Sequence, residues 1–176
     1  MLDWFRKLFG GASGPPRVPT DTSRGGVYSG LRAQAVSARR GAAGIPAPPD
    51  HAPVWGILME TGYPGATATL FALADGTTSL YLSSGGGVIG GQAHESVRAA
   101  TAALLAAANQ MRRHLQPASS FPVPEVGHTL FYVLTDAGVF TSGGREDDLG
   151  YGRHALSPLF HAGHGVLTEL RLISGG

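Results

Sequence analysis

Thr67-Ala68-Thr69-Leu70-Phe71-Ala72-Leu73-Ala74-Asp75-Gly76-Thr77-Thr78-Ser79-Leu80-Tyr81-Leu82-Ser83 is the stretch on which the fold turns. Two β-rich runs, 67–74 and 77–83, flank an Asp-Gly pair. That dipeptide suits a two-residue hairpin turn with positive φ. In the second run Thr78, Leu80 and Leu82 alternate with Ser79, Tyr81 and Ser83, so one face is expected to be buried and the other wetter. Upstream, Val54–Thr61 is apolar and β-rich and ends at the turn signal Gly62-Tyr63-Pro64-Gly65. Three strands in succession make a meander.

Downstream, a glycine-rich connection at 85–91 leads into the clearest helical pattern, about 92–115. Val97, Ala100, Leu104, Ala108, Met111 and Leu115 recur at steps of 3 and 4 along it. Much of that face is alanine, so the helix can lie close to a sheet. Arg112, Arg113 and His114 stand in its last turn, where cations suit the helix dipole, and Pro117 ends it. A second hairpin is expected at 129–135 and 139–142 around Asp136-Ala137-Gly138, then an exposed acidic loop at 145–148. Ser157 as N-cap and Pro158 as first residue open a final helix with Leu159, Val166, Leu170 and Ile173 on one side. Gly163 and Gly165 weaken that helix, so a strand at 166–173 competes with it. The order β-β-β-α-β-β-α predicts an α+β fold: two layers, a five-stranded mainly antiparallel sheet, and the helices on one face.

Before residue 53 the composition changes. Residues 10–52 are rich in Gly, Pro, Ser, Ala and Arg, with prolines at 15, 16, 19, 46, 48 and 49. This reads as a flexible linker over 11–52, holding one stretch, 31–40, able to form a short helix. Ahead of it lies a docking segment, 1–10. On a helical wheel Leu2, Trp4, Phe5, Leu8 and Phe9 fall within about 160°, with Asp3, Arg6 and Lys7 opposite. So short a helix is marginal alone in water and needs a surface to press against. The remaining 53–176 is expected to be one domain, which suits a chain of 176 residues.

The pattern of strand, Asp-Gly turn, strand, glycine-rich loop and alanine-rich helix, over about residues 53–142, resembles in its topology the profilin-like and roadblock-type layout, small modules that dimerise or scaffold other proteins. It differs in having three strands rather than two before the long helix. The run 75–81 with glycines at 85–91 also resembles small bacterial proteins for which no activity follows. Neither resemblance carries functional residues to this chain. The first implies interaction and a possible homo-oligomer.

Composition narrows the function classes. Cysteine is absent, which excludes disulfides, thiol nucleophiles and cysteine-based zinc sites. Residues 53–176 carry six basic and nine acidic side chains, against seven and three in 1–52. A mildly acidic body argues against nucleic-acid binding, which needs clustered positive charge. No apolar run reaches the roughly 18–20 residues of a membrane span, and no secretory signal is visible. A cytoplasmic protein is the expectation.

Three sites are worth weighing. Gly85, Gly86, Gly87, Gly90 and Gly91 precede a helix start where backbone N–H groups can hold an anion, with His94 and Glu95 near enough to move a proton. No Gly-Lys-Ser/Thr follows, so this is not a Walker loop. The plain alternative is a connection that needs positive φ. His161 and His164, three apart, with His154 and the acids at 147–148, could bind a metal, but the spacing matches no established site; no metal and no cofactor are expected. The carboxylates Glu60, Asp75, Asp136 and Glu169 are scattered, with nothing in sequence to pair them. Leu2, Trp4, Phe5, Leu8 and Phe9 are the partner-binding candidates, with a protein groove favoured and a weak membrane-surface contact the lesser option. No catalytic constellation stands out. The reading is a non-enzymatic interaction or adaptor module. A small-molecule or anion-binding module and a metal-dependent hydrolase are the alternatives.

Overall fold

The computed structural model describes residues 24–46 and 53–174. Helix α1 spans Arg24–Ser37. Strands β1 (Val54–Tyr63), β2 (Ala66–Leu73), β3 (Thr78–Leu82) and β4 (Gly87–Ile89) follow. Then come helix α2 (Glu95–Met111), strands β5 (Gln116–Pro117), β6 (His128–Thr135) and β7 (Gly138–Arg145), and helices α3 (Glu146–Gly150) and α4 (Ser157–Ser174). One sheet holds all seven strands in the order β4-β3-β2-β1-β6-β7-β5, every strand pairing antiparallel.

The α+β class and the antiparallel sheet stand as the sequence implies. The strand count does not: there are seven, not five. The two extra strands are sheet edges of three and two residues, glycine-rich β4 and proline-containing β5, too short to show a period of two. Short edges with a proline also limit pairing with other chains. Around Asp75-Gly76 the loop is four residues, with Gly76 at φ +88° and the Thr77 N–H donating 2.9 Å to Asp75 Oδ1. The acidic stretch is not a loop but α3, whose first turn carries Glu146, Asp147 and Asp148 where anions suit the dipole, and whose Leu149 is fully buried. The 157–174 segment is helix throughout. Ser157 is inside it, its hydroxyl 3.3 Å from the His154 N–H rather than free to cap the helix.

The sheet is covered on both sides. α2 and α4 pack together on one face, burying Val97, Leu104, Ala108, Leu159, Val166 and Leu170 against Ile57, Met59, Leu70, Ala72, Phe131 and Val133. The strand alternation puts a different set on the other face: Trp55, Leu58, Phe71, Leu73, Tyr132 and Leu134. Val36 of α1 and Ala43 and Ile45 of the turn after it close over them. This third layer corrects the two-layer expectation. Residues 24–46, which composition assigns to a linker with a possible short helix at 31–40, contribute a helix that starts earlier, Arg24–Ser37, and a turn to the core. Three glycines in α1 make it a poor helix by intrinsic propensity, which is why composition points to a linker; a tertiary contact supplies the difference. The leader 2–9 lies outside the described residues.

Candidate functional site

The register of β1 sets Glu60 opposite Thr69 of β2 and Leu130 of β6, on the face under α1. There the Glu60 side chain has no exposed surface. A buried carboxylate is tolerated only with charge and hydrogen bonds to match, and α1 brings both. Arg32 Nε donates to Oε1 and Oε2 at 2.8 and 3.0 Å, and Nη2 donates to Oε2 at 2.8 Å. Thr69 Oγ1 donates to Oε1 at 3.0 Å, and the Tyr28 hydroxyl stands 2.7 Å from Thr69 Oγ1. With the threonine proton directed to Glu60, Tyr28 is the donor of that second bond, so the hydroxyls form a relay ending on the carboxylate.

The rest of the guanidinium is satisfied by the connection between β5 and β6. Nη1 donates to the Phe121 carbonyl at 2.7 Å and Nη2 to the Pro122 carbonyl at 2.8 Å. Tyr132 donates its hydroxyl to the same Pro122 oxygen at 2.6 Å, and Arg32 Cζ lies 5.4 Å from the Tyr132 ring centre. Phe121 meets the Tyr132 ring edge to face at 5.6 Å. The end of this connection is pinned to β1. Val126 bridges to Gly62, and the Gly127 N–H donates 2.9 Å to the Gly62 carbonyl. Only glycine fits at 62, since a Cβ there would lie 2.3 Å from the Glu125 oxygen. Burial works against the Arg32 charge, but the Glu60 carboxylate outweighs it and the Arg32 pKa rises. Burial, aided by the Glu60 charge, raises the Tyr28 pKa.

Sequence alone offers Glu60 no partner. The one it finds is 28 residues away, in a segment that composition assigns to a linker. A signal is present: one carboxylate inside an otherwise apolar strand, which requires either an exposed face or a buried partner. Asp136, explained from sequence by its turn alone, also has a partner in the same segment: Arg40 Nη2 lies 2.8 Å from its Oδ2. This pair is open to solvent, and the Arg40 hydrogen bond lowers the Asp136 pKa.

The anion-site candidates fall elsewhere. Gly87 pairs with Tyr81 as part of β4, at φ +147°, where a Cβ would sit 2.0 Å from the Leu80 oxygen. Gly91 is buried where a Cβ would meet Leu170 Cδ2 at 2.6 Å. Gly85 and Gly86 form the tip of the β3–β4 hairpin, and Gly90 leads into the turn before α2. His94 and Glu95 are exposed at the start of α2, and the His94 side chain makes no capping bond. Close packing thus calls for glycine at 87 and 91, while Gly85, Gly86 and Gly90 take positive φ.

The histidines turn to separate partners. His154 Nδ1 accepts from the Leu156 N–H at 3.1 Å, and His161 Nε2 lies 3.0 Å from the Gly150 carbonyl. His164 packs 4.2 Å from the Phe160 ring, its Nε2 buried without a hydrogen-bond partner among the described residues, and burial lowers its pKa. No group of three His, Asp or Glu side chains among the described residues is placed to hold a metal ion. No helix among them is long and apolar enough to cross a membrane.

Comparison of the chain with protein-family models, with curated proteins and with solved structures finds no match.

Proposed function

We propose that this chain is a non-enzymatic protein-interaction module that presents its N-terminal segment, 2–9, to a protein partner from a root fixed on the sheet. The observation that carries the reading is the Arg32–Glu60 clamp. It ties a glycine-rich helix to the β-domain through a buried, multiply bonded ion pair, and that helix begins 15 residues after the apolar stub ends at Phe9. A stub with Trp4 and Phe5 on one side is the kind of anchor that fills a groove. Rooting α1 restricts where the stub can reach, which raises its local concentration at a partner held near the domain. Dimerisation through the same stub fits this reading as well.

The test replaces Trp4 and Phe5 together by alanine and compares cross-linked partners with those of the intact chain. Loss of a specific partner, with the melting temperature unchanged, is the expected result. An unchanged partner set overturns the reading. Co-sedimentation of the intact chain with anionic vesicles, abolished by the same substitution, would replace the protein partner by a lipid surface.

A further inference from the structure

We propose that the seam between α3 and α4 is an acid-sensitive latch: a proton on His164 Nε2 takes the Glu146 carboxylate from the Tyr63 hydroxyl and frees that tyrosine at the end of β1. Residues 2–9 play no part in it.

Three elements meet at the seam. Tyr63, the last residue of β1, donates its hydroxyl to Glu146 Oε1 at 3.2 Å. Glu146 opens α3, and its own N–H donates to the Gly127 carbonyl at 2.9 Å. α3 rests on α4: His161 Nε2 lies 3.0 Å from the Gly150 carbonyl, and a Cβ at Gly150 would stand 3.8 Å from the Phe160 ring. His164, one turn further along α4, packs on that ring at 4.2 Å. Its Nε2 is buried without a hydrogen-bond partner among the described residues.

Such a nitrogen is tolerable as a bare lone pair and costly as a charged N–H. The neutral ring therefore keeps its one proton on Nδ1. A second proton enters at Nε2, where a buried cation needs an anion beside it. The groups whose charge reaches the ring are Glu146 from α3 and His161 from α4 itself. α2 faces this layer with Val97, Thr101, Leu104, Leu105 and Ala108, none of which titrates, and β1 presents Tyr63. Glu146 is thus the acceptor of the right sign. Its bond to Tyr63 is long for a hydroxyl on a carboxylate and lies at the surface. A contact from imidazolium to carboxylate is charged at both ends and stronger where water is excluded. The exchange moves one side chain and leaves the α3 backbone bonded to Gly127.

The test is a titration of the full chain from about pH 8 to 5, the range of an imidazole, followed by NMR at the His164 and Tyr63 rings. The Tyr63 signals should shift with the same midpoint as His164, below its ordinary 6.5. In Glu146→Gln the His164 midpoint should fall further, because the carboxylate favours the charged ring, and Tyr63 should no longer follow it. In His161→Asn the midpoint should rise, with Tyr63 still following. A Tyr63 signal that stays flat while His164 titrates overturns the latch, and wild type alone decides that point. An unchanged His164 midpoint in Glu146→Gln overturns it as well. So does a Tyr63 response that disappears in His161→Asn, which would assign the proton to the other histidine.

Discussion

The two faces of the sheet are covered by different physics. Under α2 and α4 the contact is apolar, with Ile57, Leu104, Phe131, Val133, Leu159 and Val166 all without exposed surface. Two pairs of buried hydroxyls there are neutral and locally matched: Thr61 with Thr129 at 2.9 Å and Thr78 with Thr101 at 2.7 Å. Under α1 a single helix and a short turn cover the sheet, and a charge pair sits at the centre. The first face is held by area, which adds up over many side chains and tolerates small shifts. The second adds to a smaller apolar contact, through Val36, Ala43 and Ile45, a directional ion pair that fixes where α1 lies more than it adds net stability. A sheet can thus carry one layer held by apolar area alone and another in which a buried ion pair is added to a smaller apolar contact.

That contrast can be broken most sharply at the clamp. Arg32→Ala should cost about 3–5 kcal/mol, because it strands a buried carboxylate. Replacing both partners by apolar residues of similar volume, Arg32→Met with Glu60→Leu, should recover most of that loss in the same denaturant titration. A double variant as unstable as the single one would mean that α1 is held by something other than the ion pair. On the opposite face, Leu104→Ala should cost about 2–5 kcal/mol through lost transfer energy and a cavity. It should leave amide exchange in α1 relative to the rest unchanged, whereas Arg32→Ala should expose α1 first.

Gly62→Ala joins the two regimes. The added methyl meets backbone, so the 122–127 connection must move, at about 1–3 kcal/mol. Because that connection leads from two acceptors of Arg32, α1 exchange should rise with it; a loss confined to the strand would separate loop and clamp. A smaller effect concerns pH. His164 has a folded-state pKa below its ordinary 6.5, from burial. The unfolded chain then takes up the proton first, so stability is full above that value and declines as pH falls below it. His164→Leu should flatten this part of the pH profile; an unchanged slope assigns it to another group. The smallest effect is expected at Arg40→Ala. Its bonds to Asp136 resemble those of Arg32 to Glu60, but both side chains are open to water. No measurable change in melting temperature should follow, and a clear loss would show that the turn at 38–46 contributes as much as the clamp.

Much of the apolar face is legible in the sequence. The meander at 54–83, the hairpin at 128–145 and the long helix each show their period within a dozen contiguous residues. The face under α1 is not. Its helix has three glycines and little amphipathic pattern. Glu60 and Arg32 look unrelated because each finds its partner only after β1 pairs with β2 and α1 folds across them. The histidines show the converse. His161 and His164 are three apart on one helix, as their spacing implies, yet one faces the Gly150 carbonyl and the other lies against Phe160. Spacing sets the side of a helix; what stands opposite that side comes from other elements.

Sequence by itself determined the α+β class, the antiparallel meander, the central helix and the absence of thiol chemistry, because these follow from contiguous periodicity and from composition. The tertiary structure decided that a stretch with a linker's composition closes the second face, that a lone strand carboxylate lies under an arginine, and that the glycine-rich connection is partly a strand. These depend on burial. A glycine-rich helix, an isolated carboxylate and a three-residue edge strand are each unfavourable alone, and each becomes stable only when another part of the chain excludes water from it.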